Sequence, residues 1–290
     1  YFVALQRVNP NTAVDWEFQG GDVARHVPDR EFKYVFWAFG PAIRTFEMCP
    51  PVISVDGTHL CGHYKRKLLV VVAQTANKRL LPVAYALVDE ESTGSRSFFL
   101  RNLRRYVVFD KQICVLSDRD VGLRSAIESL PDWQEPAAYH RICLRHLRSN
   151  VVTRSKKIRD WCWELGSQLS KQKFRQTKQR LQEFNSDAYN YLFNIPLNQW
   201  TLYRDEKRRW GTLTTNMSES YNNVLKGVRF LPCRALVEAT FKKLWICFDK
   251  NKTSPADAGV PLLICTMSHF CSWSKLPHLT RWNVRSTTDR

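Results

Sequence analysis

Pro51-Val52-Ile53-Ser54-Val55-Asp56 is a short apolar run ending in an acid, and what surrounds it decides the fold. Downstream, Lys67-Leu68-Leu69-Val70-Val71-Val72-Ala73 reads as a second strand, rich in β-branched residues. Arg79 to Val88 reads as a third strand, with Pro82 near its start, where a missing N–H is tolerable. The links between these runs are short, as an antiparallel meander requires. Ser95 to Tyr106 carries apolar residues at 98, 99, 103 and 106, a helical spacing with an Arg-rich outer face. Gln112 to Asp118 is a fourth strand, again ending in an acid. Gly122 to Leu130 is a short helix closed by Pro131, and Ala137 to Cys143 is a fifth strand.

Outward from this centre the text changes. Residues 1–45 mix aromatic and polar side chains, with a helix expected over Glu31–Phe46 and a break at Gly40-Pro41. Residues 147–212 read as basic and polar helices: Lys156–Ser170, Lys173–Asn185 and Ala188–Phe193, interrupted by Pro196. Thr214-Thr215-Asn216 offers N-capping side chains to a helix through Ser218–Leu225, and another helix runs from Ala235 to Lys250. The expected division is a helical or irregular segment at 1–45, an α/β core at 46–146, a helical insertion at 147–212, the core's closing helices at 213–250, and a poorly ordered tail at 251–290. There is no internal repeat.

Lys and Arg number 44 against 27 Asp and Glu, a net charge of +17, which favours a polyanionic partner. Arg141 to Arg180 holds twelve basic residues and two acids, Asp160 and Glu164. Such a run is either a solvated helix face or a DNA-backbone footprint, and the footprint is the expectation. Arg145, Arg148, Arg154, Lys156, Lys157 and Arg159 are its candidate phosphate contacts. No run is long and apolar enough for a membrane span, and no signal peptide opens the chain, so a soluble intracellular protein is expected. Nine cysteines at irregular spacings do not suggest a disulfide framework. The tryptophans at 161, 163, 200 and 210 would either stack on unpaired bases or form the insertion's own core; the second is the simpler account.

Phosphodiester cleavage and strand transfer use two divalent cations about 3.5–4 Å apart. Hard cations such as Mg²⁺ take oxygen ligands, and few protein carboxylates are needed. Two acids at neighbouring strand ends and one on a helix crossing the sheet meet that need, and Asp56, Asp118 and Glu219 stand in such places. An acid after a strand also serves as a turn or cap residue.

The local wording favours the first use. Val55-Asp56-Gly57-Thr58-His59-Leu60, Leu81 to Val88, Ser117-Asp118-Arg119-Asp120-Val121-Gly122-Leu123, Cys143-Leu144-Arg145-His146-Leu147 and Thr215-Asn216-Met217-Ser218-Glu219-Ser220-Tyr221-Asn222 occur in order. From about Phe36 to Lys250 this resembles the transposase domain of plant Mutator-like elements, the MULE family. The resemblance implies an RNase H-like mixed sheet, three antiparallel strands and then parallel ones, with an all-helical insertion before the third acid. It also implies a DDE-type DNA transposase in which Asp56, Asp118 and Glu219 are the catalytic, metal-binding carboxylates. Asp120 is a neighbouring acid outside the triad.

By the same resemblance the cofactor is Mg²⁺ or Mn²⁺ in a two-metal site. The partners are transposon ends and target DNA, with a homo-oligomer when active, in the nucleus. No membrane and no small-molecule substrate are implied.

Cys143-X-X-His146 matches another family element. It reads as a structural or DNA-proximal pair; with His140 the spacing is three and three, but a zinc site needs a fourth partner that the sequence does not identify. His59-X-Cys61-X-His63 is read as coincidence.

Two departures accompany the likeness. Arg96 stands where the family has a tryptophan, and would reach solvent along its stem or cost core packing. The family's N-terminal DNA-binding region and C-terminal zinc knuckle are not visible. The alternative reading is therefore a non-catalytic, transposase-derived DNA-binding regulator, like the far-red-response transcription factors that resemble the same family, or a decayed fragment.

Overall fold

Seven strands form one mixed sheet in the order β1-β2-β5-β4-β3-β6-β7. They are β1 Ala13–Phe18, β2 Phe32–Ala38, β3 Val52–His59, β4 Lys67–Gln74, β5 Leu80–Val88, β6 Ile113–Ser117 and β7 Ala138–Ile142. The computed structural model describes residues 2–18, 32–61, 65–151 and 155–251. Strands β3, β4 and β5 pair antiparallel, whereas β6 pairs parallel to β3 and β7 parallel to β6. This is a mixed α/β architecture consistent with the RNase H-like expectation.

The apolar run of β4 is buried from Leu68 to Ala73, because both faces of the sheet are covered. Pro82 lies inside β5, beside a register shift between Val71 and Val72 of β4. On the other side β2 pairs only with Tyr85, Ala86 and Leu87, so the N–H that Pro82 lacks breaks no ladder there.

Helices α1 Phe2–Val8 and α2 Gly40–Glu47 flank the first strands. Helices α3 Thr93–Leu103, continued by a wider turn through Val108, and α4 Val121–Ser129 pack against each other. Tyr34 and Phe36 of β2 meet Phe98 and Phe99 of α3. Trp37 stacks instead on Tyr85, whose hydroxyl is bonded to that of Tyr221, so these aromatics meet the helices α10 Asn216–Val224 and α11 Cys233–Asn251.

A second cluster gathers Ile142, Leu144, Leu147, Cys162, Leu165, Phe174, Leu181, Leu192 and Trp200. It is built from α5 Leu144–Asn150, α6 Lys156–Ser167, α7 Lys171–Phe184, α8 Ser186–Phe193 and α9 Leu197–Trp200.

The helix expected over Glu31–Phe46 is corrected. Phe32–Ala38 is strand and only Gly40–Glu47 is helix; Glu31 itself lies outside the described residues. A short aromatic and apolar run fits either period, and pairing with both β1 and β5 decides for strand. Gly40-Pro41 starts α2 rather than breaking it. A Cβ on Gly40 would stand 2.3 Å from the Pro10 carbonyl oxygen, so the chain turns there against the 10–12 backbone. The tail from 252 onward lies outside the described residues.

Candidate active site

The parallel register of β3 and β6 ends at Ser54 opposite Leu116. Extended by two residues, it sets Asp56 beside Asp118. Asp56 Oδ1 accepts from the Gly57 amide at 2.8 Å, and Asp118 Oδ1 accepts from the Asp120 amide at 3.1 Å. Burial raises the Asp56 carboxyl to about 6; the Gly57 amide opposes the shift, the Asp118 charge adds to it, and Arg96 and His146 oppose it.

Helix α10 carries the third acid to the same strand. Ser218 Oγ donates to Ser54 Oγ at 2.6 Å, and Asn222 Nδ2 donates to Asp56 Oδ2 at 2.8 Å. Glu219 lies between these anchors in sequence. Its Oε2 pairs with Arg145 Nη1 at 2.5 Å and its Oε1 stands 3.5 Å from His146 Nε2. Arg145 also donates to Asn216 Oδ1 at 3.0 Å, bracing α5 against the start of α10.

Asp120 is occupied differently from Asp118. Its carboxylate accepts from the Leu123 amide at 2.6 Å, capping α4, and pairs with Arg96 at 3.4 Å. Arg96 also meets Glu91 at 3.3 Å and is only 3% exposed. It therefore neither reaches solvent nor lies against apolar packing alone; two acids hold it within the fold. Gly57 makes room for Glu91, whose Oε1 would stand 2.2 Å from a Cβ at that position.

Cys143 Sγ accepts from both the amide and hydroxyl of Thr215 at 3.3 Å, and the Thr215 hydroxyl is 3.5 Å from His146 Nδ1. Burial would push the Cys143 thiol up; hydrogen bonds from His146 and Thr215 outweigh it and bring it down to about 7. Bonding to Cys143 raises the His146 pKa, against burial and with help from the charges of Cys143, Asp118 and Glu219. His140 does not join this pair, since its Nε2 is bonded to Ser117 Oγ at 2.8 Å. Of the other candidate trio, His59 and Cys61 are described and His63 lies outside the described residues.

The donor set suits a hard divalent cation in kind: three carboxylates, and a buried acceptor on Asn222 (Oδ1) without a hydrogen-bond partner. Among the described residues no three His, Cys, Asp or Glu side chains converge closely enough to hold one ion. Arg145 and His146 draw Glu219 to themselves.

Of the expected phosphate contacts, Arg148 is turned onto Asp160 and the Arg159 carbonyl, and Arg145 onto Glu219. Lys156 is exposed, while Lys157 lies over the rings of Trp161 and Phe184, 4.8 Å from each. Arg154 lies outside the described residues. The tryptophans divide: Trp200 is fully buried and Trp161 packs against the helical cluster, as a core role requires. Trp163 and Trp210, 37% and 63% exposed, are not core residues.

Comparison with known families fits this arrangement. Residues 52–150 match the MULE transposase domain. The MULE match takes in Asp56, Asp118, Cys143 and His146, and ends before α10 and Glu219. No curated protein matches the chain. Among the described residues no helix is long and apolar enough to cross a membrane.

Sequence reasoning left three features of this site unassigned: the Asn222–Asp56 bond, the Arg145–Glu219 pair and the Arg96–Glu91–Asp120 group. Only Asn222 carried a local signal. It stands three residues after Glu219 and so shares its helix face.

Proposed function

We propose that this chain is the catalytic core of a DDE-type DNA transposase, with Asp56, Asp118 and Glu219 as its metal-binding carboxylates. The observation that carries the reading is the docking of α10 onto β3 through Ser218–Ser54 and Asn222–Asp56, which brings the Glu219 helix against the strand that bears Asp56.

Divalent cations, Mg²⁺ or Mn²⁺, when bound, supply an activated attacking oxygen and a stabilised leaving oxygen. The chain's own part is to hold acceptor oxygens there. Asp56 on β3 and Asp118 just past β6 lie close enough for their charges to repel, and a bound cation would relieve that repulsion. Glu219 completes the set once Arg145 releases it. Arg145 is half exposed and placed to turn from a carboxylate to a DNA phosphate.

On this reading Lys156, Lys157 and Arg159 extend the DNA contact, the helical cluster at 147–212 is an insertion in the core, and the partners are transposon ends and target DNA. The active form is a homo-oligomer acting in the nucleus. Cys143 and His146 brace α5 against Thr215 rather than hold zinc.

The Arg145–Glu219 pair also favours a second reading, a DNA-binding, non-catalytic derivative in which the third acid is permanently neutralised. Purified protein should cut DNA with Mg²⁺ or Mn²⁺, stop on chelation and resume when Mn²⁺ is restored. Binding of DNA without cleavage at any metal concentration would decide for the second reading.

A further inference from the structure

The two polar contacts between α10 and β3 are spaced alike on both elements. Ser218 and Asn222 are four residues apart, about 6 Å along a helix. Ser54 and Asp56 are two apart, roughly 6.5 Å along a strand and on one face of it. Helix and strand therefore run in step, and each helical side chain meets its own partner.

An ionised carboxylate only accepts, so Asn222 must face Asp56 with its NH₂ group. That orientation leaves the amide oxygen free of Asp56. Oδ1 is buried and has no hydrogen-bond partner, whereas Glu219 Oε1, one turn earlier, has only the His146 ring 3.5 Å away. Buried acceptors are normally satisfied, so an orphan on the helix face that also carries Glu219 calls for a donor or a cation. The residue is also held from behind, since Arg229 Nη2 donates to the Asn222 carbonyl at 2.8 Å.

We propose that Asn222 is an uncharged oxygen donor of the acidic site, binding a divalent cation or its coordinated water through Oδ1 while Nδ2 fixes the Asp56 carboxylate. Hard cations accept amide oxygens alongside carboxylates. A neutral donor adds ligation without adding a further negative charge beside Asp56 and Asp118. The inference rests on the metal-binding reading given above.

Calorimetric titration of the full chain with Mn²⁺ tests it, using wild type, Asn222→Ala and Asn222→Asp. Asn222→Ala should bind Mn²⁺ about 10-fold or more weakly, the size of effect seen when groups around metal ligands are removed. Its metal-free circular dichroism should match that of wild type. Asn222→Asp keeps an oxygen but loses the amide donor, and should bind Mn²⁺ at least as tightly as wild type above pH 7. If Asn222→Ala does not fold, Asn222→Asp decides alone.

Wild-type affinity in Asn222→Ala would overturn the inference and leave the metal site standing. An Asn222→Asp loss as large as that of Asn222→Ala would assign the role to the N–H alone and overturn the oxygen-donor assignment. Absence of Mn²⁺ binding by wild type would overturn the metal reading itself.

Discussion

The segments that carry Asp56 and Asp118 and the helix that carries Glu219 are anchored in different ways. Asp56 and Asp118 are set by backbone: a parallel ladder between β3 and β6, and amide donors from Gly57 and Asp120. Glu219 is set by side chains reaching across the sequence: Ser218 to Ser54, Asn222 to Asp56, Tyr221 to Tyr85, and Arg145 to Glu219 itself. A ladder leaves little freedom, whereas a helix docked by a few side chains can be loosened one contact at a time. The difference teaches that the pair of strand acids is the fixed half of the site and the helix acid its adjustable half.

The contact expected to matter most is Tyr221. It is fully buried against Tyr85, and truncating such a ring costs about 3–5 kcal/mol. Tyr221→Ala should lower stability by that amount in urea unfolding and free α10 from the sheet. Tyr221→Phe keeps the ring but leaves the Tyr85 hydroxyl unpaired, for about 1–3 kcal/mol. Equal stability of wild type and Tyr221→Ala would mean that α10 is not anchored there.

The next contrast lies within the strand-end region. Asp120 caps α4 and faces the buried Arg96, so Asp120→Ala should destabilise by about 2 kcal/mol. Asp118→Asn keeps an acceptor for the Asp120 amide and relieves repulsion with Asp56, so its metal-free stability should equal or exceed that of wild type. The reverse order would exchange the roles given to these two acids.

A smaller effect is expected from pH. The Asp56 carboxyl is raised from 3.8 to about 6 in the fold. The folded state thus holds this proton more tightly than the unfolded state. Its contribution to stability is fully present below about pH 4 and is lost as pH rises through 6. Without metal, the melting temperature of Asp56→Asn should gain on wild type between pH 4 and 6, then level off. A constant difference across that range would place Asp56 in an ordinary solvated setting.

The same contrast governs what could be read from the sequence. Strands β3 to β7 were legible because apolar runs bounded by turns identify strands locally; Asp118 directly follows β6 as expected, whereas β3 continues past Asp56 to His59 through its pairing with β4. Strand β2 was missed because Phe32–Ala38 is apolar apart from Lys33, a pattern that fits a buried helix as well. The helix around Glu219 could be read, but its contacts could not. Asn222 and Asp56 are 166 residues apart, and no local pattern encodes that meeting. Arg96 looked like a departure from a packing position because Glu91 and Asp120 are brought to it only by the fold.

The central claim, that Asp56, Asp118 and Glu219 act as one metal-dependent centre, is tested most directly by single-turnover DNA cleavage in Mn²⁺, comparing wild type with Asp118→Asn. The substitution keeps size and hydrogen bonding while removing a charge that holds the cation. Cleavage should fall by at least about 1000-fold, equivalent to about 4 kcal/mol in the barrier, with metal-free DNA binding unchanged or slightly tighter. Cleavage by Asp118→Asn at the wild-type rate would contradict the account.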